Sequence, residues 1–96
     1  MLTETIPFDA AQYIESAEGH SELLHDAFES GDAGYIAAAL GVVARAKGMT
    51  QVAKDAGVTR EALYKALSAE GDPKLSTLLG VVRALGVHLS VSSAQS

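Results

Sequence analysis

Apolar residues recur along most of this chain at helical spacing, and the interruptions fall at glycines and at short polar side chains suited to capping helices. Met1 to Pro7 has no periodicity and reads as an extended arm. Phe8-Asp9, an apolar residue followed by a capping carboxylate, opens a predicted short helix running to about Glu18, which Gly19 breaks. A second helix is predicted over His20 to Ser30, with Leu23, Leu24, Ala27 and Phe28 on its inward face. Asp32 then caps a helix from Ala33 to about Lys47. Tyr35, Ile36, Leu40, Val42 and Val43 lie there among alanines, so the helix is apolar nearly all round and belongs at the centre of a bundle. Gly48 ends it.

Two short helical patterns follow with almost nothing between them. Thr50 stands before the first, in which Val52, Ala53 and Ala56 are apolar, and Gly57 falls at its end. Thr59 opens the second, whose apolar face is Ala62, Leu63, Ala66 and Leu67. Gly57 suits the left-handed backbone that commonly ends a helix, Ala53 is small enough for a steep crossing, and Val58 would tuck into the corner. This is the pattern of a helix-turn-helix. It leaves Thr59, Arg60, Glu61, Tyr64 and Lys65 on the outer side of the second helix, near the end where base-reading contacts are made.

Residues 68–73 are dense in turn formers. Lys74 begins a last helix with Leu75, Leu78, Leu79, Val82 and Leu85 as its predicted core-facing stripe, and Gly86 stops it. Val87 to Val91 then alternates apolar and polar, which signals a strand. A single strand needs a partner, so it is expected to pair with the same strand of a second subunit, the alternative being a disordered tail.

Charge is unevenly distributed along the chain. Over 96 residues the net charge is −5, unlike the basic footprint usual for a nucleic-acid binder. Residues 1–34 hold eight carboxylates and no lysine or arginine, a net −8, whereas the remainder carries seven cations against four carboxylates, a net +3. An acidic third joined to a mildly basic remainder suggests two different partners, although an acidic helix can also be merely solvated. The chain is short enough for one domain. It is divided here into an acidic N-terminal region (1–34), a DNA-binding core (35–86) and a possible dimerising strand (87–91). There is no cysteine, hence no disulfide or thiolate site. No apolar run is long enough to span a bilayer and the N-terminus does not resemble a signal peptide, so a cytoplasmic protein without a membrane partner is expected.

Several stretches together resemble a known family: FDAAQYI, ALGVVARAKGMTQVA, GVTREALYKALS and RALGVHL. From about Phe8 to Leu89 the chain is similar to the small helix-turn-helix antidote proteins of bacterial addiction modules, related to HigA-like antitoxins. The resemblance implies a compact helical bundle with a lambda-repressor-like helix-turn-helix; with the tail strand expected from its alternation, the fold class is all-α plus a short C-terminal β-strand available to pair across a dimer. It also implies an antitoxin of a type II toxin–antitoxin pair that represses its own operon and neutralises a RelE-like or HigB-like, messenger-RNA-cleaving toxin. One departure is GDPKLST, where related sequences often have GNP and then an aromatic residue; Leu75 is a hydrophobic substitute.

The residues then take roles. Arg60 can present its guanidinium fork to guanine O6 and N7, and Glu61 can accept from cytosine N4. Lys65 suits phosphate, with Lys54 and Arg45 orienting the domain from flanking helices, and Thr50, Gln51, Thr59 and Tyr64 complete the candidate DNA-binding set. Thr59 reads more readily as a cap than as a base reader, Glu61 can simply support the helix N-terminus, and Tyr64 can be half core. Few cations argue for a homodimer on double-stranded operator DNA, with the last helix and tail as dimer surfaces. Glu15, Glu18, Glu22, Asp26 and Glu29 are the candidates for meeting a basic toxin.

Catalysis and cofactors are not expected. The only histidines are His20, His25 and His88, and the first two are off the spacing that places two ligands on one helix face. No cysteine nucleophile, phosphate-binding glycine loop or nucleophile turn is present. The alternatives are a transcriptional regulator of this fold without a toxin, which the adjacent gene would distinguish, and a helix-turn-helix serving only protein contacts.

Overall fold

The computed structural model describes residues 17–94. Among them are five helices: α1 (Ala17–Ser30), α2 (Ala33–Lys47), α3 (Met49–Ala56), α4 (Arg60–Ala66) and α5 (Leu75–Ala84). The expected arm and the helix begun by Asp9 lie outside the described residues, apart from the last residues of that helix. There the structure corrects the expectation, because α1, described from Ala17, runs unbroken through Gly19, which is buried inside it. Glycine within a helix costs about 1 kcal/mol relative to alanine. The burial of Leu24 and Ala27 in the core, at 5% and 0% exposure, outweighs that cost.

Asp32 caps α2 as its position suggested. Its backbone is extended (φ −94°, ψ 113°), and its Oδ1 accepts the N–H groups of Gly34 at 2.9 Å and Tyr35 at 3.2 Å. The helix is central: Leu40, Val43 and Ala44 are buried among residues from all four other helices of the core. Gly41 permits a close approach of α2 to the end of α4, since a Cβ there would overlap the carbonyl oxygen of Leu67.

Gly48 both ends α2 and begins α3. Its N–H donates to the Ala44 carbonyl at 2.8 Å, and its own carbonyl accepts the Val52 N–H at 3.0 Å. Thr50 is therefore an exposed residue within α3, not the residue before it. Gly57 adopts the left-handed conformation (φ 76°, ψ 29°), and the Val58 N–H reaches back to the Ala53 carbonyl at 3.0 Å. Thr59 caps α4, its Oγ1 accepting the Ala62 N–H at 3.0 Å. Leu63 and Leu67 are buried at 0% and 2%, and Val58 packs against the core. Ala62, assigned to the inner face, is exposed: the two leucines alone seat this short helix.

The last helix keeps three of its five expected core residues, Val82 buried and Leu78 and Leu85 packed against the core, but is rotated enough to lose the other two. Gly80, Val81 and Val82 are buried, whereas Leu75 is 68% exposed and Leu79 44% exposed. The buried arc is centred on Val81 because α5 meets α3 at Gly80, where an added Cβ would lie 3.1 Å from the Ala56 carbonyl oxygen. That approach turns Leu75 and Leu79 outward. Lys74 is the cap residue and the helix proper begins at Leu75. No strand occurs among the described residues. Residues 87–94 run without regular structure in the single chain, which offers residues 87–91 no partner strand, and Val91 is 99% exposed. The tail faces α1 across a groove of about 580 Å³, with Leu24, Phe28 and Glu29 on one side and Val87 and Leu89 on the other.

Candidate nucleic-acid interface

The polar side of the helix-turn-helix is open. Thr50, Gln51 and Lys54 on α3, Thr59 before α4, Arg60, Glu61, Tyr64 and Lys65 on α4, and Arg45 in the last turn of α2 are all exposed. With Leu63 and Leu67 inward, α4 presents the opposite side to solvent, and Tyr64 at 42% exposure belongs to that side.

Within this surface the side chains are not equally free. Arg60 Nη1 donates to Thr50 Oγ1 at 3.4 Å, and its guanidinium carbon sits 5.6 Å from the centroid of the Tyr64 ring. The structure thus brings together three of the candidate residues from both motif helices. Gln51 Nε2 donates to Asp55 Oδ1 at 2.9 Å, one turn along α3. The Thr59 hydroxyl is committed to the helix N-terminus, which favours its reading as a cap. Arg45 reaches back over its own helix, with Nη1 3.3 Å from where a Cβ on Gly41 would stand.

One cation escaped the sequence reading. Lys74 shares a groove of about 570 Å³ with Lys65, Ser68 and Thr77, between α4 and the start of α5. The available signal was a lysine directly following Asp72-Pro73 at a helix start.

The acidic candidates lie elsewhere. Glu15 is outside the described residues. Glu18, Glu22, Asp26 and Glu29 are exposed, and their spacing puts them on one face of α1. Helix α1 packs on α2, whereas α4 packs on α3, so this carboxylate face and the exposed polar side of α4 belong to different parts of the bundle. Asp26 is also tied to the neighbouring helix, where its Oδ2 accepts the Tyr35 hydroxyl at 2.6 Å. That hydrogen bond, followed by partial burial and the carboxylate's charge, holds the Tyr35 phenol above its ordinary value.

Among the described residues no group of three or more histidine, aspartate or glutamate side chains is placed to hold a metal ion, and no helix is long and apolar enough to cross a membrane.

A family model described as "Probable addiction module antidote protein" matches residues 4–93. The chain belongs to this addiction-module antidote family. The match takes in both the acidic helix and the helix-turn-helix. A Haemophilus influenzae protein described as "Uncharacterized protein" is 39% identical over 95 residues, covering 98% of each chain. No solved structure matches. Membership in an antidote family accords with a regulatory protein rather than an enzyme.

Proposed function

We propose that this antidote-family chain is the antitoxin of a type II module, binding operator DNA as a homodimer, repressing its own operon and neutralising a RelE-like or HigB-like toxin in the cytoplasm. The observation that carries the DNA-binding part is the seating of α4. Leu63 and Leu67 are buried, and Arg60, Glu61, Tyr64 and Lys65 are exposed on a helix that follows a left-handed glycine turn. A helix held this way can enter a major groove, Arg60 addressing guanine and Glu61 cytosine. Lys65 and Lys74, lining one groove beside it, suit the phosphates that set register. Gln51, Lys54 and Arg45 add contacts from the flanking helices.

The dimer supplies what one module lacks. Seven cations in the whole chain give weak attraction to a polyanion, and two-fold symmetry places two recognition helices roughly 34 Å apart on a palindrome. Leu75 and Leu79, turned out of the core, and Leu89 and Val91 in the tail are the exposed apolar side chains assigned to the partner copy, where residues 87–91 gain the strand they lack alone. The carboxylates of α1, with Glu15, meet the toxin, whose own substrate is anionic and whose surface is therefore basic.

Expression of the chain together with the neighbouring reading frames of its native operon tests this reading. A toxin-like product that co-purifies, and a palindromic upstream site protected by the complex, are the expected results. A monomer that protects no site and retains no product would overturn it.

A further inference from the structure

Arginine has one of the most flexible side chains, and ordering it on a surface has a large entropic cost. Arg60 is the first residue of α4, exposed, and yet engaged twice. Thr50, ten positions earlier on α3, accepts a hydrogen bond from its Nη1 at 3.4 Å across the Gly57 turn. Tyr64, one turn further along α4, places its ring 5.6 Å from the guanidinium carbon, within the reach of a cation–π contact. Both neighbours are neutral, so the cation keeps its full charge. The hydroxyl takes one N–H of the fork and leaves the remaining donors for a base edge.

Accepting the DNA-binding reading above, the geometry points to Tyr64 and Thr50 as positioning residues that hold Arg60 ready for a guanine, rather than as readers of DNA themselves. Fixing the guanidinium before contact removes part of the ordering cost from the specific complex. Random duplexes, bound chiefly through phosphates, gain little from it. The two supports are unequal. A cation–π attraction at an exposed site corresponds to about two- to fivefold in an equilibrium constant. The Thr50 bond, at 3.4 Å, is longer than the usual N–H···O range and contributes less.

The test starts from a duplex selected out of a random library by the full-length protein. Its affinity is compared with that of the same duplex carrying 7-deazaguanine, which lacks the N7 acceptor, at the selected guanine. Wild type and Tyr64→Phe should share one preference for natural guanine. Tyr64→Leu, which fills similar space without a ring, should lower that preference about two- to fivefold. Its affinity for the 7-deazaguanine duplex, where O6 alone remains to the fork, should fall less, and its salt slope should stay unchanged. Thr50→Ala should show a smaller loss in the same direction, and Arg60→Ala should abolish the preference. These substitutions lie outside the core, and thermal melting of each variant confirms that it folds.

If Tyr64→Leu discriminates as well as wild type while Arg60→Ala does not, the positioning role is refuted and base reading stands. If Tyr64→Phe loses as much as Tyr64→Leu, the ring is not the support. If Arg60→Ala keeps the preference, another side chain reads the guanine and this inference fails while DNA binding stands; if wild type selects no duplex, the DNA-binding reading itself fails.

Discussion

Replacing Gly41 with alanine separates local propensity from packing, because the two predict opposite signs. Gly41 lies in the middle of α2, where alanine would on propensity alone stabilise the helix by about 1 kcal/mol. In the folded chain the new Cβ would overlap the Leu67 carbonyl oxygen, with Arg45 Nη1 a further 3.3 Å neighbour. The arginine can swing away into solvent. The carbonyl cannot, because it belongs to the cap of α4 and Leu67 is 2% exposed in the core. Overpacking typically costs about 1–3 kcal/mol, and a backbone obstacle places this site toward the upper end. The net effect is a loss of about 1–2 kcal/mol, or roughly 4–16 °C in melting temperature for a domain of this size. Urea and thermal unfolding followed by circular dichroism at one protein concentration measure it. Ala46→Gly, at an exposed site of the same helix, calibrates the propensity effect. A Gly41→Ala protein more stable than wild type would refute the close approach of α2 to the end of α4.

Three further outcomes are expected. Thr59→Ala removes the oxygen that accepts the Ala62 N–H and should cost about 1 kcal/mol in unfolding experiments, with Thr59→Ser retaining most of the stability. Asp26→Asn should bring the Tyr35 phenol back toward 10.0 in an ultraviolet titration, since the Asp26 hydrogen bond is the main cause of its rise. Because the folded protein holds that proton more firmly than the unfolded chain, this contribution to stability is complete below the ordinary value and disappears as pH climbs through the raised one. Finally, Glu18→Lys, Glu22→Lys and Glu29→Lys together should slow association with the co-encoded toxin at low salt, as seen by stopped flow, and added salt should shrink the difference. An unaltered on-rate would discard electrostatic steering.

What could be read from the sequence was largely what is local. Asp32, Gly57 and Thr59 act within three or four residues of themselves, so residue type and position sufficed to mark the ends of α2, α3 and α4. The rotation of α5 could not be read in that way. Leu75, Leu78, Leu79, Val81, Val82 and Leu85 are all apolar, several arcs satisfy the helical period, and the contact of Gly80 with Ala56 selects among them. Ala62 was misplaced for a similar reason, alanine being equally at home on either side of a helix. Gly19 looks like a breaker in the sequence because its local cost is visible there and the packing that offsets it is not. In the candidate interface, Arg60 was identifiable from type and position, whereas its tie to Thr50 joins residues on different helices and emerged only with the turn between them.

Everything proposed for this protein depends on sequence-specific binding of duplex DNA through the exposed side of α4. Fluorescence anisotropy with the DNA preceding the coding sequence and a random duplex of equal length, using wild type and Arg60→Ala at one stated salt concentration, tests this most directly. Wild type should prefer the upstream DNA, and Arg60→Ala should lose about 1–3 kcal/mol there but much less on the random duplex. Equal losses on both duplexes, or a wild type that does not distinguish them, would contradict this.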